Sequence, residues 1–353
     1  MELKPLCIGD LTAKIPLVQG GMGVGISLSN LAGNVALQGG VGIISTAQIG
    51  YQEKDFSTNP LKANLRVIGS ELEKAKKIAK GGVVGFNIMV ATRNYGEYVK
   101  EVCRQGADII ISGAGLPVDL PKLTEGFQTK LAPIVSSVKA TNIICKLWDK
   151  KYNTTPDMVV IEGAMAGGHL GFSLEDILSY KKETFDNEIK HIMEVVESYA
   201  QKYKKKIPVI VAGGITTKED VSHYLSLGVQ GVQVATRFVT TKECDASLEY
   251  KNAYINATKD EITLVKSPVG MPGRAINNQL LEKVKKGEKT PITKCYQCIS
   301  KCNPLEIPYC ITDALIKAVK GDVKNGLLFC GANAYKAKKI ETVKEVFESL
   351  GFV

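Results

Sequence analysis

The chain has 353 residues, 44% hydrophobic and 23% charged, which is the balance of a soluble globular protein and excludes a disordered, collagen-like or coiled-coil chain. Forty-five basic against 36 acidic residues leave a formal charge of +9, but the lysines are interspersed with glutamates, and the densest cluster, Lys202 to Lys206, lacks the interleaved aromatics of a single-strand nucleic-acid platform. No apolar run reaches the ~18–20 residues of a membrane span and no secretory signal is visible, so a cytoplasmic protein is expected, with no nucleic-acid or membrane partner.

In chain order, short β-branched apolar runs predict strands at 15–19, 41–45, 83–87, 108–112, 132–136, 158–162, 209–212 and 231–234. Amphipathic segments between them predict helices at 28–38, 71–80, 95–105, 121–125, 139–150, 188–204 and 218–227. Strands that are apolar at nearly every position are covered on both faces, which means a parallel sheet. Eight βα units in ~240 residues predict an α/β fold, a (β/α)8 TIM barrel. From about Tyr250 the repeat stops. Residues 267–274, rich in Pro and Gly, read as a rigid linker, and two more helices are expected at 312–319 and 340–350. The expected division is a barrel over 1–265 and a Cys-rich helical extension over 266–353, packed on the barrel.

The chemistry-bearing residues follow the strands. Gly20 to Gly25 come after the first, Asn87 ends the third, Ser112-Gly-Ala-Gly115 follows the fourth and Ser136-Ser137 the fifth. The sixth is followed by Glu162-Gly-Ala-Met-Ala-Gly-Gly-His-Leu-Gly171, the seventh by Gly213-Gly214-Ile215, and the eighth by Ala235-Thr236-Arg237. Small and polar loops at the same ends of most strands mark a cavity at the C-terminal mouth of a barrel. The seventh and eighth loops form the usual phosphate site of such barrels, with Thr217 available to cap the next helix and Arg237 to offer a guanidinium. Gly20 to Gly25 miss the dinucleotide fingerprint, because Ile26 stands where its last glycine belongs. His169 is one of only three histidines, and the glycines around it leave its imidazole uncrowded. It can exchange a proton near neutrality or, protonated, hold an anion. His191 and His223 read as surface residues on helices.

These segments resemble the nitronate monooxygenase family, formerly called 2-nitropropane dioxygenases, which also includes flavin-dependent enoyl-acyl-carrier-protein reductases. The resemblance is carried by Pro16-Leu-Val-Gln-Gly-Gly-Met-Gly23, Gly85-Phe-Asn-Ile-Met89, Glu162-Gly-x-x-Ala-Gly-Gly-His-x-Gly171, Ala212-Gly-Gly-Ile215 and Gln233-Val-Ala-Thr-Arg-Phe238, and it spans residues 15 to 240. It implies an FMN-binding barrel. Met22, Gly23, Asn87, Glu162, Gly167 and Gly214 would contact the flavin, Gln233, Val234, Ala235 and Thr236 would hold its phosphate, and His169 would be the catalytic histidine. Two positions depart from the pattern: many members have Gln where Glu162 stands and Glu where Met165 stands. The implied activity is oxidation of an alkyl nitronate by O2 to a carbonyl compound and nitrite. The alternative is an NAD(P)H-dependent enoyl-thioester reductase on the same barrel, to which the positive surface adds an acidic carrier protein as partner.

Nine cysteines, an odd number, argue for a reducing compartment. Cys7, Cys103, Cys145 and Cys244 read as small buried hydrophobes, and Cys330 as packing. Cys295-x2-Cys298-x3-Cys302-x7-Cys310 has spacing compatible with zinc or an iron–sulfur cluster, and equally with reduced thiols that pack the extension. The expected partner is a small-molecule substrate; a homodimer is left open.

Overall fold

The computed structural model describes residues 4–268 and 270–352. The chain opens with a hairpin, β1 (Leu6–Ile8) and β2 (Leu11–Ala13). The apolar runs then form eight parallel strands: β3 (Leu17–Gln19), β4 (Gly42–Ser45), β5 (Val84–Met89), β6 (Ile109–Gly113), β7 (Lys130–Val135) and β8 (Val159–Glu162), then, past the two-residue β9 (Gly168–His169), β10 (Val209–Ala212) and β11 (Gly231–Val234). Every predicted strand is present to within about two residues at either end. Each barrel strand pairs in parallel with its neighbours, and β11 pairs with β3. Between β3 and β4 the ring closes by a short bridge, with the Gln19 N–H donating to Val41 O and the Val41 N–H to Leu17 O, both at 2.9 Å. The structure is the predicted (β/α)8 barrel.

The two faces of the strands explain their composition. Ile43, Ile109, Ile111, Val160 and Ile210 point into the barrel, while Ile44, Ile110, Val159, Ile161, Val209 and Val211 point out toward the helices, and all are buried. Leu6 and Ile8 join the inner cluster, so the hairpin stoppers the end of the barrel where the strands begin. Cys7, between them, faces outward and is exposed, unlike the buried position expected for it, because side chains alternate along a strand.

The helices are α1 (Ser29–Leu37), α2 (Pro60–Ala79), α3 (Tyr95–Arg104), α4 (Leu120–Leu123), α5 (Val138–Tyr152), α6 (Leu174–Leu178), α7 (Lys182–Tyr203), α8 (Lys218–Ser226), α9 (Thr236–Val239) and α10 (Leu248–Asn256). α2 starts eleven residues before its predicted start. Asn59 caps it by accepting from the Lys62 N–H, and Pro60 occupies the first turn, where its missing N–H costs nothing.

The extension holds strands as well as helices. β12 (Ile262–Lys266) and β13 (Pro272–Ile276) form an antiparallel hairpin, and β13 also pairs with β9, with Gly273 opposite His169. Pro272 to Arg274 therefore belong to a strand and not to a linker, and the hairpin crosses the expected division at residue 265. Then come α11 (Gln279–Lys285), α12 (Ile311–Val319) and α13 (Val343–Ser349). α13 returns to the barrel, where Phe347 meets Phe238 with ring centroids 6.1 Å apart. Among the described residues no helix is long and apolar enough to cross a membrane.

Candidate active site

The C-terminal ends of the barrel strands open into a cavity of about 250 Å3. Met22, Gly23, Asn87, Glu162, Gly167, His169, Gly214, Gln233, Val234, Ala235 and Thr236 all line it. With Gly113 and Ala114 at the end of β6, which also line it, the ends of six different strands converge as their sequences suggest. Ser136 and Ser137 do not reach it: Ser136 donates to Gly171 O at 3.0 Å, and Ser137 caps α5.

Glycine is required where two loops press together. A Cβ on Gly21 would lie 2.3 Å from the Asn87 Cβ, and one on Gly23 2.5 Å from the Ala47 Cβ. Gly214 adopts φ +77, in the left-handed region, with Met165 packed against it. Met22 is fixed from below, its N–H donating to Ser27 Oγ at 2.8 Å. The glycines thus let these loops pack tightly against one another along the cavity.

At the other end of the cavity the loops after β10 and β11 meet. Thr217 caps α8 as expected, and Asp220 completes a reciprocal box by accepting from the Thr216 and Thr217 N–H groups. Thr236 faces the cavity, and its Oγ1 accepts from the Gly331 N–H at 3.0 Å. Arg237 does not face it. Its guanidinium donates to Glu341 at 2.7 Å and to Thr216 O at 2.9 Å, so a carboxylate just before α13 takes the charge that the sequence offers to a ligand. Among the described lining residues there is no lysine or arginine. An anionic group there would be held by backbone N–H groups and the Thr236 hydroxyl.

Glu162 and His169 are two of the titratable groups in the walls. Burial pushes the Glu162 carboxyl up to about 8, and no described residue pairs with it. It is therefore mostly a neutral acid at pH 7, able to donate a hydrogen bond as well as accept one. Burial also lowers His169 to about 4, so its imidazole is neutral at physiological pH. Its Nε2 lies 2.7 Å from Ser267 Oγ, and its ring leans on Phe329 at a centroid distance of 4.9 Å. His223 instead pairs with Asp186 at 3.0 Å, and His191 is exposed.

The extension builds the outer wall. Arg274, buried on β13, donates from Nη2 to Ala164 O at 2.9 Å and from Nη1 to Ala166 O, clamping the loop that carries His169. Asn333 donates to Gly214 O at 2.7 Å, and the Ala332 N–H to Met165 O at 3.1 Å. Ile299, Ile311, Leu315 and Phe329 complete an apolar rim. Sequence reading missed all of these, and Arg274 in particular lay inside the presumed linker. The buried partners of a residue in a loop have no local signature.

A family model for nitronate monooxygenase matches residues 4–351. A probable nitronate monooxygenase of Staphylococcus saprophyticus is 27% identical over 80% of this chain and 81% of its own length. One from Staphylococcus aureus strain Newman is 25% identical over 79% of each. Among solved structures, FabK from Thermotoga maritima matches with a TM-score of 0.68 at 23% identity, covering 95% of this chain and 91% of its own. Nitroalkane oxidase from Streptomyces ansochromogenes matches at 0.70 and 18%, covering 95% and 94%.

Proposed function

The chain belongs to the nitronate monooxygenase family of flavin-dependent oxidoreductases, and from that premise we propose that it binds FMN and oxidises alkyl nitronates with O2 to a carbonyl compound and nitrite. The observation that carries this reading is His169, a neutral, oriented imidazole at the edge of a glycine-floored cavity.

The residues fit the cofactor. Gly21, Gly23 and Gly214 let their loops pack closely around the cavity, Met22 and Asn87 line it where a ring would lie, and the 233–236 turn with Gly214 would cradle a phosphate without a cation. Bound FMN would supply the electron exchange with the substrate and with O2. Glu162, protonated, would donate to a ring heteroatom and place no negative charge beside an electron-rich ring. His169 would hold a nitronate oxygen or take the α-proton of a neutral nitroalkane. An anion beside the ring favours imidazolium, opposite to the effect of burial, so the substrate itself raises the basicity of His169. Phe329, Leu315 and Ile299 would exclude water around the substrate's alkyl part.

The second reading is a nicotinamide-dependent enoyl-thioester reductase. The apolar rim would suit an acyl chain. The fold likeness to FabK and to the enoyl reductase domain of MlnA (TM-score 0.63, 13% identical, covering 95% of this chain and 93% of that one) makes it worth testing. Anaerobic mixing decides between the two. Bleaching of the bound flavin by propyl-2-nitronate, with nitrite and O2 uptake on aeration, is the expected result. Bleaching by NADPH alone would overturn it in favour of the reductase.

A further inference from the structure

The cysteines of the extension ring a second cavity. Cys295, Cys298, Cys302 and Cys310 all line it, together with Arg93, and it encloses about 220 Å3. None of the four is in a disulfide. Three come from one loop, and Cys310 is the N-cap of α12. The loop is stitched to the segment after β5: the Arg93 N–H donates to Cys298 O and the Ser300 N–H to Ala91 O, both at 3.0 Å. Gln297 takes φ +50, and its N–H donates to Cys295 Sγ at 3.4 Å. A left-handed residue two positions after a cysteine, with its amide turned back to the sulfur, makes a donor to a thiolate.

The size of the hollow favours a larger body over a single ion. A single tetrahedral zinc draws its sulfurs to ~2.3 Å from one point. Among the described residues no three His, Cys, Asp or Glu are grouped as they would be around a metal ion, and the four thiols stand apart around the hollow. Four cysteines set around a hollow fit a larger body, and four thiolates are the usual ligand set of a four-iron cluster. Arg93 in the same wall offsets part of the negative charge that four thiolates bring.

The two cavities share a wall. Cys298, Ile299 and Ile311 line both. A group bound by the cysteines would lie one layer of side chains from a group bound in the barrel mouth.

We propose that Cys295, Cys298, Cys302 and Cys310 hold a four-iron, four-sulfide cluster that exchanges single electrons with the flavin across the wall of Cys298, Ile299 and Ile311. Its electron-transfer half rests on the flavin reading above; its metal half does not. This route serves the enoyl-thioester reductase reading, in which the flavin is not reduced by the substrate it acts on, and its electrons come from a low-potential, acidic one-electron carrier protein. Cys295 is exposed and neighbours Lys294, and Lys301 lies exposed on the same loop, so the carrier would meet a basic edge. Each transfer oxidises the carrier by one electron and reduces the cluster by one. The cluster then passes that electron on. Two such transfers, with two protons from solvent, reduce the flavin fully.

The test is anaerobic purification of the full chain, followed by iron, acid-labile sulfide, zinc and FMN assays on the same sample. About four iron and four sulfide per chain are expected, with an EPR signal after dithionite reduction. Cys302→Ala and Cys295→Ala should each lower iron at least fivefold while FMN per chain is unchanged. Cys103→Ala, a buried thiol outside the ring, should keep its iron. Reduced methyl viologen should reduce the wild-type flavin at least tenfold faster than that of the iron-poor variants. Zinc in place of iron, or no iron after reconstitution with ferrous iron and sulfide, would overturn the proposal while leaving the flavin reading intact. Iron and sulfide without flavin would uphold the cluster and overturn the flavin reading.

Discussion

Glu162→Gln should make the protein more stable, and only above pH 5. In the unfolded chain the Glu162 carboxyl titrates near its ordinary 4.5, whereas in the folded protein burial keeps it protonated up to about 8. Between those values the folded state binds one more proton than the unfolded state, so stability falls as pH rises, by up to ~1.4 kcal/mol per pH unit. Over the whole window the loss is on the order of 5 kcal/mol for a dry cavity, and nearer ~2 kcal/mol where water reaches the carboxyl. Glutamine keeps the shape and cannot ionise. The assay is urea unfolding of flavin-free wild type and variant from pH 4.5 to 9, compared pairwise so that the other titrating groups cancel. The stability difference should be constant below pH 5, grow by ~2–5 kcal/mol in favour of the variant up to pH 8, and then level off. A difference that stays flat across this range would mean that Glu162 ionises like a surface carboxylate, and the role given to it as a neutral donor would fall.

Replacing His169 with Ala should cut turnover with nitronate by ~10²-fold or more with FMN content unchanged, read from steady-state rates and the flavin spectrum. His169→Gln should also flatten the acid side of the stability curve. With His169 held near 4 in the folded protein, the unfolded chain takes up its proton first as pH falls from 6.5, so wild-type stability drops between about pH 6.5 and 4, and melting temperatures at pH 7 and 4.5 will show it. Gly167→Ala would put a Cβ 2.5 Å from the Cys330 carbonyl carbon, forcing the His169 loop off the extension at a cost of ~1–3 kcal/mol. A wild-type melting temperature would refute that contact. Arg237→Ala should lower stability by ~1–3 kcal/mol through loss of its Glu341 and Thr216 bonds, yet leave FMN affinity within about twofold. A large loss of affinity in an FMN titration would return Arg237 to the phosphate site.

The barrel and the inner half of the site were legible because their signals are local. Each strand is a run of β-branched residues, and each lining residue follows its strand within a few positions, so chain order alone gathered Met22, Asn87, Glu162, His169 and Thr236 at one mouth. Where the reading failed, the deciding partner was distant. Arg237 looked free for a ligand until Glu341, 104 residues on, took it. The 267–274 segment looked like a linker because Pro and Gly dominate it, and only pairing with Gly168 and His169 makes Pro272 to Arg274 a strand. α2 was half missed because Gly69 and Ser70 break its helical pattern, and a close approach to the Gln105 side chain explains that glycine.

The pairing of β9 with β13 bears on how new variants of this enzyme could be made by recombination. His169 rides on a strand whose hydrogen-bonded neighbour is encoded about a hundred residues later, on the far side of any simple barrel–extension cut. A chimaera joined at residue 265 would take β12 from one parent and β13 from the other, and would split the hairpin that β9 pairs with. A junction between α10 and β12, at residues 257–258, keeps the hairpin and the apolar rim together as one cassette, while Arg274 and β13 still have to meet Ala164, Ala166 and β9 of the other parent. Exchanging that cassette between relatives would vary the outer wall of the chamber while the glycine loops of the barrel stay the same.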